Sequence, residues 1–339
     1  MGGARRPDRG GRLRLALLPC HGPLADAPGA VAAVRAALRG AGRGGPAAVP
    51  RATVLQPPLP QASGDAGRVS APVVSVLMSV HDGAPWVREA VQSLLAQTLT
   101  DLEVIVVDDG STDATADVLA SLRDPRLVIE RRPHAGLTRS LNRALELSKA
   151  ALVARLDADD VALPDRLARQ RTFLGVHPDV GLLGTGAREV DVTGRELAVV
   201  RPPGDDATIR RALIRANPFV HSSVMMRRTV VELAGGYDES LPVAQDYDLW
   251  MRMSRLTRLA NLPEPLVIRR LAPGRVSAVR DDDRLRAEAR VRWRAVRGGA
   301  YPWWCAAFAA RPLLALALPG GWRRGLRRAT RKRGQPRTV

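Results

Sequence analysis

The sequence predicts an α/β fold, a mainly parallel mixed sheet flanked by helices, and three observations carry that prediction. Apolar, β-branched runs alternate with helix-period segments from Pro72 onward. The runs are continuous rather than alternating, which is the form of a strand buried on both faces. Acidic residues gather where these runs end, the edge at which such sheets collect ligands.

The elements follow in order. VVSVLMSV is the first strand, ending just before His81 and Asp82. APWVREAVQSLLAQT places apolar residues at Trp86, Val87, Ala90, Val91, Leu94 and Leu95, the spacing of one helix face. LEVIVVDD is a second buried strand that ends in Asp108 and Asp109. Gly110 then frees the turn, and Ser111 or Thr112 can cap the helix STDATADVLASLRD. RLVIER, GLTRSLNRALELSK and ALVARLDADD continue as strand, helix and strand, so Asp82, Asp108, Asp109, Asp157 and Asp159 all stand at strand ends. From about Gly181 the alternation loosens into the strand candidates VGLLGTGAREV and SSVMMR and a helix after Gln245, which predicts a smaller mixed half.

A chain of 339 residues can bury a full core. Its formal net charge of +18 raises the question of nucleic acid. Lysine occurs only at Lys149 and Lys332, so the excess is arginine in an Ala, Gly and Pro-rich composition, the pattern of a GC-rich genome. No aromatic-and-basic RNA motif or recognition-helix pattern accompanies it, and the expectation is no nucleic-acid partner. The two cysteines, Cys20 and Cys305, suggest neither a disulfide framework nor a cysteine metal site, which fits a reducing, cytoplasmic setting. No Gly-rich phosphate-cradling loop precedes the first helix, which counts against nucleotidyl transfer.

Two segments carry the chemistry. In RLDADD, Asp157 and Asp159 are two apart; an extended backbone would point both the same way, and two such carboxylates can hold a hard divalent cation. Solvated loop acids or a helix cap before LPDRL would also give this triplet. In VIVVDDGSTDAT, a carboxylate beyond the strand can accept the imide N–H of a uracil or thymine ring. A plain strand-to-helix turn explains Gly110, Ser111 and Thr112 but not two adjacent acids.

Taken with GLTRSLNRAL, ARLDADDVALPDRLARQ, NPFVHSSVMMRR and GGYDESLPVAQDYDLWMR, these strings resemble glycosyltransferase family 2, inverting enzymes with the GT-A fold, over about residues 72 to 255. The resemblance implies hexosyl transfer from a nucleotide-diphosphate sugar, with a UDP-sugar as first expectation, to a hydroxyl of a glycan or lipid-linked glycan in cell-surface polysaccharide synthesis. It implies that Asp109 holds the base, with Ser79 and Asp82 beside it and His81 where many members carry an aromatic residue. Asp157 would meet the ribose or diphosphate and share a Mn2+ or Mg2+ ion with Asp159, its principal ligand. Asp246 in QDYDLW would be the catalytic base, Gln245 standing where members commonly have Glu. That substitution is what favours the alternative, a catalytically silent nucleotide-sugar or glycan binder.

The domain division expected is a poorly structured extension over 1–70, with one helical pattern near Pro28 to Arg39. A GT-A domain follows over 71–275, its nucleotide-sugar half at 71–180 and its acceptor half at 181–275. A helical, amphipathic basic tail occupies 276–339. Within it YPWWCAAFAARPLLALALP is interrupted by Arg311 and Pro312, a poor spanning helix, and WRRGLRRATRKRGQPRTV has no acid. Peripheral association with the inner face of the cell membrane is the expectation.

Overall fold

A computed structural model describes residues 72–271 and 281–316. The expected 1–70 extension, with its Pro28 to Arg39 pattern, lies outside the described residues, as does the basic end of the tail beyond Leu316. Four parallel strands begin the sheet in the order β3-β2-β1-β4. They are β1 (Val74–Val80), β2 (Leu102–Asp109), β3 (Leu127–Arg132) and β4 (Leu152–Arg155), linked by helices α1 (Val87–Leu95), α2 (Thr115–Ser121) and α3 (Leu137–Leu147).

After β4 come β5 (Val161–Ala162), α4 (Arg166–Val176), β6 (Val180–Val190), β7 (Glu196–Val200), α5 (Asp206–Leu213), β8 (Met225–Arg227), α6 (Arg228–Ala234), α7 (Gln245–Met253) and β9 (Arg258–Arg270). The sheet continues without a break: β8 runs antiparallel between β4 and β6, β9 pairs parallel with β6, β5 closes on β9, and β7 pairs β6. Two further helices, α8 (Asp281–Arg297) and α9 (Ala306–Leu316), complete the described chain.

The continuous apolar strands have the consequence the sequence predicts, because residues on opposite faces of one strand enter different cores. On β1 and β2, Val76, Met78, Val104 and Val106 pack with α1, α2 and α4, while Leu77, Ile105 and Val107 pack with α3, α5, α6, α7 and α8. The result is three layers, helix over sheet over helix. Ser75, buried in β1, donates to the Glu103 carboxylate at 2.6 Å, and the Lys149 backbone N–H donates to the same oxygen at 2.8 Å, so that acid is satisfied in place.

Strand direction decides what meets at the edge. β4, β6 and β9 share one direction and β8 opposes them, so four features converge there: the ends of β1, β2 and β4, the end of β9 with Arg269 and Arg270, and the segment 217–224 that leads into β8. This is the carboxyl edge of the parallel strands, where ligands collect in open α/β sheets.

Candidate active site

On the β1 and β2 side, both acids at the end of β2 have local work. Asp108 Oδ1 accepts from the Ser111 N–H at 3.0 Å and fixes the turn through Gly110. Gly110 has φ +71°, and a Cβ there would stand 2.6 Å from the His134 backbone nitrogen, so the position needs glycine on two counts. Asp109 is buried. It accepts from the N–H groups of Ala135 at 2.8 Å and Gly136 at 2.9 Å and from the Ser140 hydroxyl at 2.9 Å, holding down the entry to α3.

His81 and His134 tilt against each other, ring centroids 4.3 Å apart, and Nδ1 of each donates to the Asp109 carbonyl, at 2.9 and 3.0 Å. A carbonyl only accepts, so each ring is protonated on Nδ1. Asp82, in the left-handed region at φ 52°, accepts from the Thr112 N–H at 2.7 Å. That bond is the main reason its carboxyl titrates below the usual range. Ser79 is the penultimate residue of β1 and is buried.

At the end of β4 the chain departs from expectation in one respect. Asp157 and Asp159 are not brought together by strand pleating. The backbone turns there, with the Asp160 N–H donating to the Asp157 carbonyl at 3.2 Å. The turn adds a third acid that the spacing argument passed over. Asp157, Asp159 and Asp160 can each offer an oxygen within 4.8 Å of the others.

Asp160 is buried; burial first, then the charges of Asp157 and Asp159, push its carboxyl up to about 7. Ser222 donates to Asp157 Oδ2 at 2.5 Å and also contacts Asp160, while Arg270 gives its N–H to Asp160 at 2.9 Å and its guanidinium to the Asp159 carbonyl at 2.8 Å. Three crowded carboxylates oxygen-rich enough for a hard cation, one of them holding its proton unusually well, are a donor set that fits Mn2+ or Mg2+.

Arg155, fully buried, ion-pairs with Asp157, leaving its Nε and Nη1 without hydrogen-bond partners. Arg166, also fully buried, donates to the Arg155 carbonyl at 2.7 Å, and burial with the neighbouring Arg155 charge pushes it down to about 9. Two buried cations facing three acids balance most of the local charge.

A pocket of about 270 Å³ opens beside this turn, lined by Asp157, Asn217, Phe219, Val220, His221, Ser222, Asp246 and Arg269. Asp157 and Asp246 therefore face one space although 89 residues of chain separate them. Asp246 sits in the first turn of α7, which starts after Ala244 in the left-handed region, and Asn217 donates to Asp246 Oδ2 at 2.7 Å. Gln245 is buried with its Oε1 unpartnered. Asn217, Ser222 and Asp160 were passed over from sequence, although all three lie inside the quoted motif strings.

His221 packs against Tyr237 and Trp250, and burial, then Arg155, push its pKa down from 6.5 to about 4. The unfolded chain therefore takes up a proton near pH 6.5 that the fold refuses until about 4, so His221 makes the protein less stable as pH falls through that window. The expected result is that His221→Gln flattens this acid decline. Denaturant unfolding at pH 7 and pH 5 measures it, and an equal decline in both proteins refutes it.

The chain is similar to known proteins in sequence and in fold. Residues 75–233 match the model of Glycosyl transferase family 2. The chain is 33% identical over 224 residues to the amylovoran biosynthesis glycosyltransferase AmsE of Erwinia amylovora, covering 64% of this chain and 83% of that protein. It is 30% identical over 186 residues to the O-antigen biosynthesis glycosyltransferase WbnJ of Escherichia coli, covering 53% and 71%. In structure it is similar to S. aureus TarS in complex with UDP, TM-score 0.56 at 19% identity over 73% of this chain and 76% of that one. The TarS complex with UDP-GlcNAc gives TM-score 0.53 at 21% identity over 64% and 66%.

Proposed function

Since the chain belongs to glycosyltransferase family 2 and has its GT-A fold, we propose that it is an inverting hexosyltransferase that moves a sugar from a UDP-sugar to a hydroxyl of a glycan or lipid-linked glycan. The observation that carries this reading is a single pocket lined by both Asp157 and Asp246, at the carboxyl edge of the sheet. The names of AmsE and WbnJ support polysaccharide synthesis, and the two TarS complexes support a uridine nucleotide.

In this reading Asp109, Ser79, His81 and Asp82 line the nucleoside pocket, and Asp157 meets the ribose or diphosphate. Asp159 and Asp157 would hold a Mn2+ or Mg2+ ion, which supplies positive charge for the departing diphosphate. Asp246 takes the proton of the acceptor hydroxyl as its oxygen bonds to the anomeric carbon and the sugar–phosphate bond breaks on the opposite face. Single displacement inverts the anomeric configuration. Asn217, bonded to one oxygen of Asp246, leaves the other for that proton. The domain division that goes with this is a nucleotide-sugar half over 71–180, an acceptor half over 181–275 and a tail over 276–339, and the location is peripheral, on the inner face of the cell membrane.

A panel of nucleotide sugars incubated with Mn2+, Mg2+ or EDTA tests the reading. Nucleoside diphosphate released with metal and not with EDTA is expected from a UDP-sugar. Nucleotide binding without release from any donor would instead favour the silent binder.

A further inference from the structure

The turn at Trp303 and the helix α9 that follows it expose an apolar face. Trp303, Ala307, Ala310 and Leu314 are spaced i, i+4, i+7 and i+11, one face of a helical segment, and all are exposed, Trp303 at 82% and Leu314 at 69%. Cys305, Ala309 and Pro312 turn inward. A helix on the surface of a globular domain normally shows the reverse arrangement. Trp304 and Leu313 extend the patch, and among the described residues no helix is long and apolar enough to cross a membrane.

This face is held in place. Pro312 has no N–H to give the Phe308 carbonyl, and Arg292 of α8 takes that oxygen at 3.1 Å. Arg292 also donates to the Tyr247 hydroxyl of α7 at 3.1 Å, one residue from Asp246. α8 exposes Arg290 and Arg297 beside Trp293, and α9 exposes Arg311; in the sequence, residues 289–339 hold thirteen Arg and Lys and no acid.

We infer that this face docks on an anionic phospholipid bilayer, with Trp303, Trp304 and Leu314 in the interface and the arginines on the headgroups. The eleven residues of α9 measure about 16 Å against a hydrocarbon core of about 30 Å, so the helix lies in the interface and does not span. Since α8 braces α7, docking would set the pocket of Asp246 at a fixed attitude to the membrane. The inference rests on the peripheral location proposed above and is tested without nucleotide or metal, so its failure and the failure of the glycosyl-transfer reading are distinguishable.

Flotation of the full chain with phosphatidylcholine vesicles, with and without about 30 mol % phosphatidylglycerol, is the test. Wild type is expected to float with the anionic vesicles, less at high salt. The double variant Trp303→Ser, Leu314→Ser is expected to lose about tenfold or more in partitioning, with an unchanged unfolding midpoint. Equal flotation of variant and wild type overturns the inference, as does binding to neither vesicle. A concentration-dependent dimer that the variant abolishes, without vesicle binding, would show a second copy as the true occupant and overturn it too.

Discussion

Asp246→Asn is expected to lower kcat for transfer by about 10²- to 10⁴-fold, the usual worth of a positioned general base, while leaving the affinity for UDP within about twofold. The amide is isosteric, and its oxygen can still accept from Asn217, which holds the present carboxylate at 2.7 Å. What it cannot do is take a proton. A residue that merely started α7 would tolerate this change. Asn217→Ala separates positioning from chemistry: it leaves the carboxylate but frees its rotation, and the expected loss in kcat is smaller, about tenfold. Isothermal titration with UDP and initial rates of nucleoside diphosphate release measure both arms. Asp246→Asn with wild-type rates would remove the base and leave the pocket as a binding site.

The fold was legible in the sequence because the strands next to the site are buried on both faces. VSVLMSV and LEVIVVDD have no polar face to present, so their runs announce both strand type and sheet centre. The site was legible only where its residues stand at strand ends or in a motif. Asp157 and Asp159 were found, but through the wrong local geometry: a turn gathers them and brings in Asp160. Ser222 reaches Asp157 across 65 residues, and Asn217 reaches Asp246 across 29, because antiparallel β8 returns the preceding segment to the carboxyl edge. No local pattern encodes that return. Asp108 and Asp109, a pair after an apolar strand, each anchor a different loop. The outward apolar stripe of α9 was also hidden, because which side of an apolar helix faces protein depends on what it packs against.

Asp159→Ala is expected to abolish metal-dependent nucleoside diphosphate release, by about 10²-fold or more, and to leave the metal-free protein no less stable than wild type. The second half distinguishes this from ordinary damage. Asp159 is one of two charges that raise the Asp160 carboxyl, so in the absence of a cation its removal relieves repulsion on a buried neighbour. Its backbone carbonyl, which accepts from Arg270, survives the substitution. Thermal unfolding with EDTA should therefore show an equal or higher midpoint for the variant. Mn2+ alone should raise the wild-type midpoint, since a ligand that binds only the fold stabilises by mass action, and should leave the variant where it was. A variant destabilised in EDTA would make Asp159 a structural acid. A variant that still responds to Mn2+ would move the cation to Asp157 and Asp160.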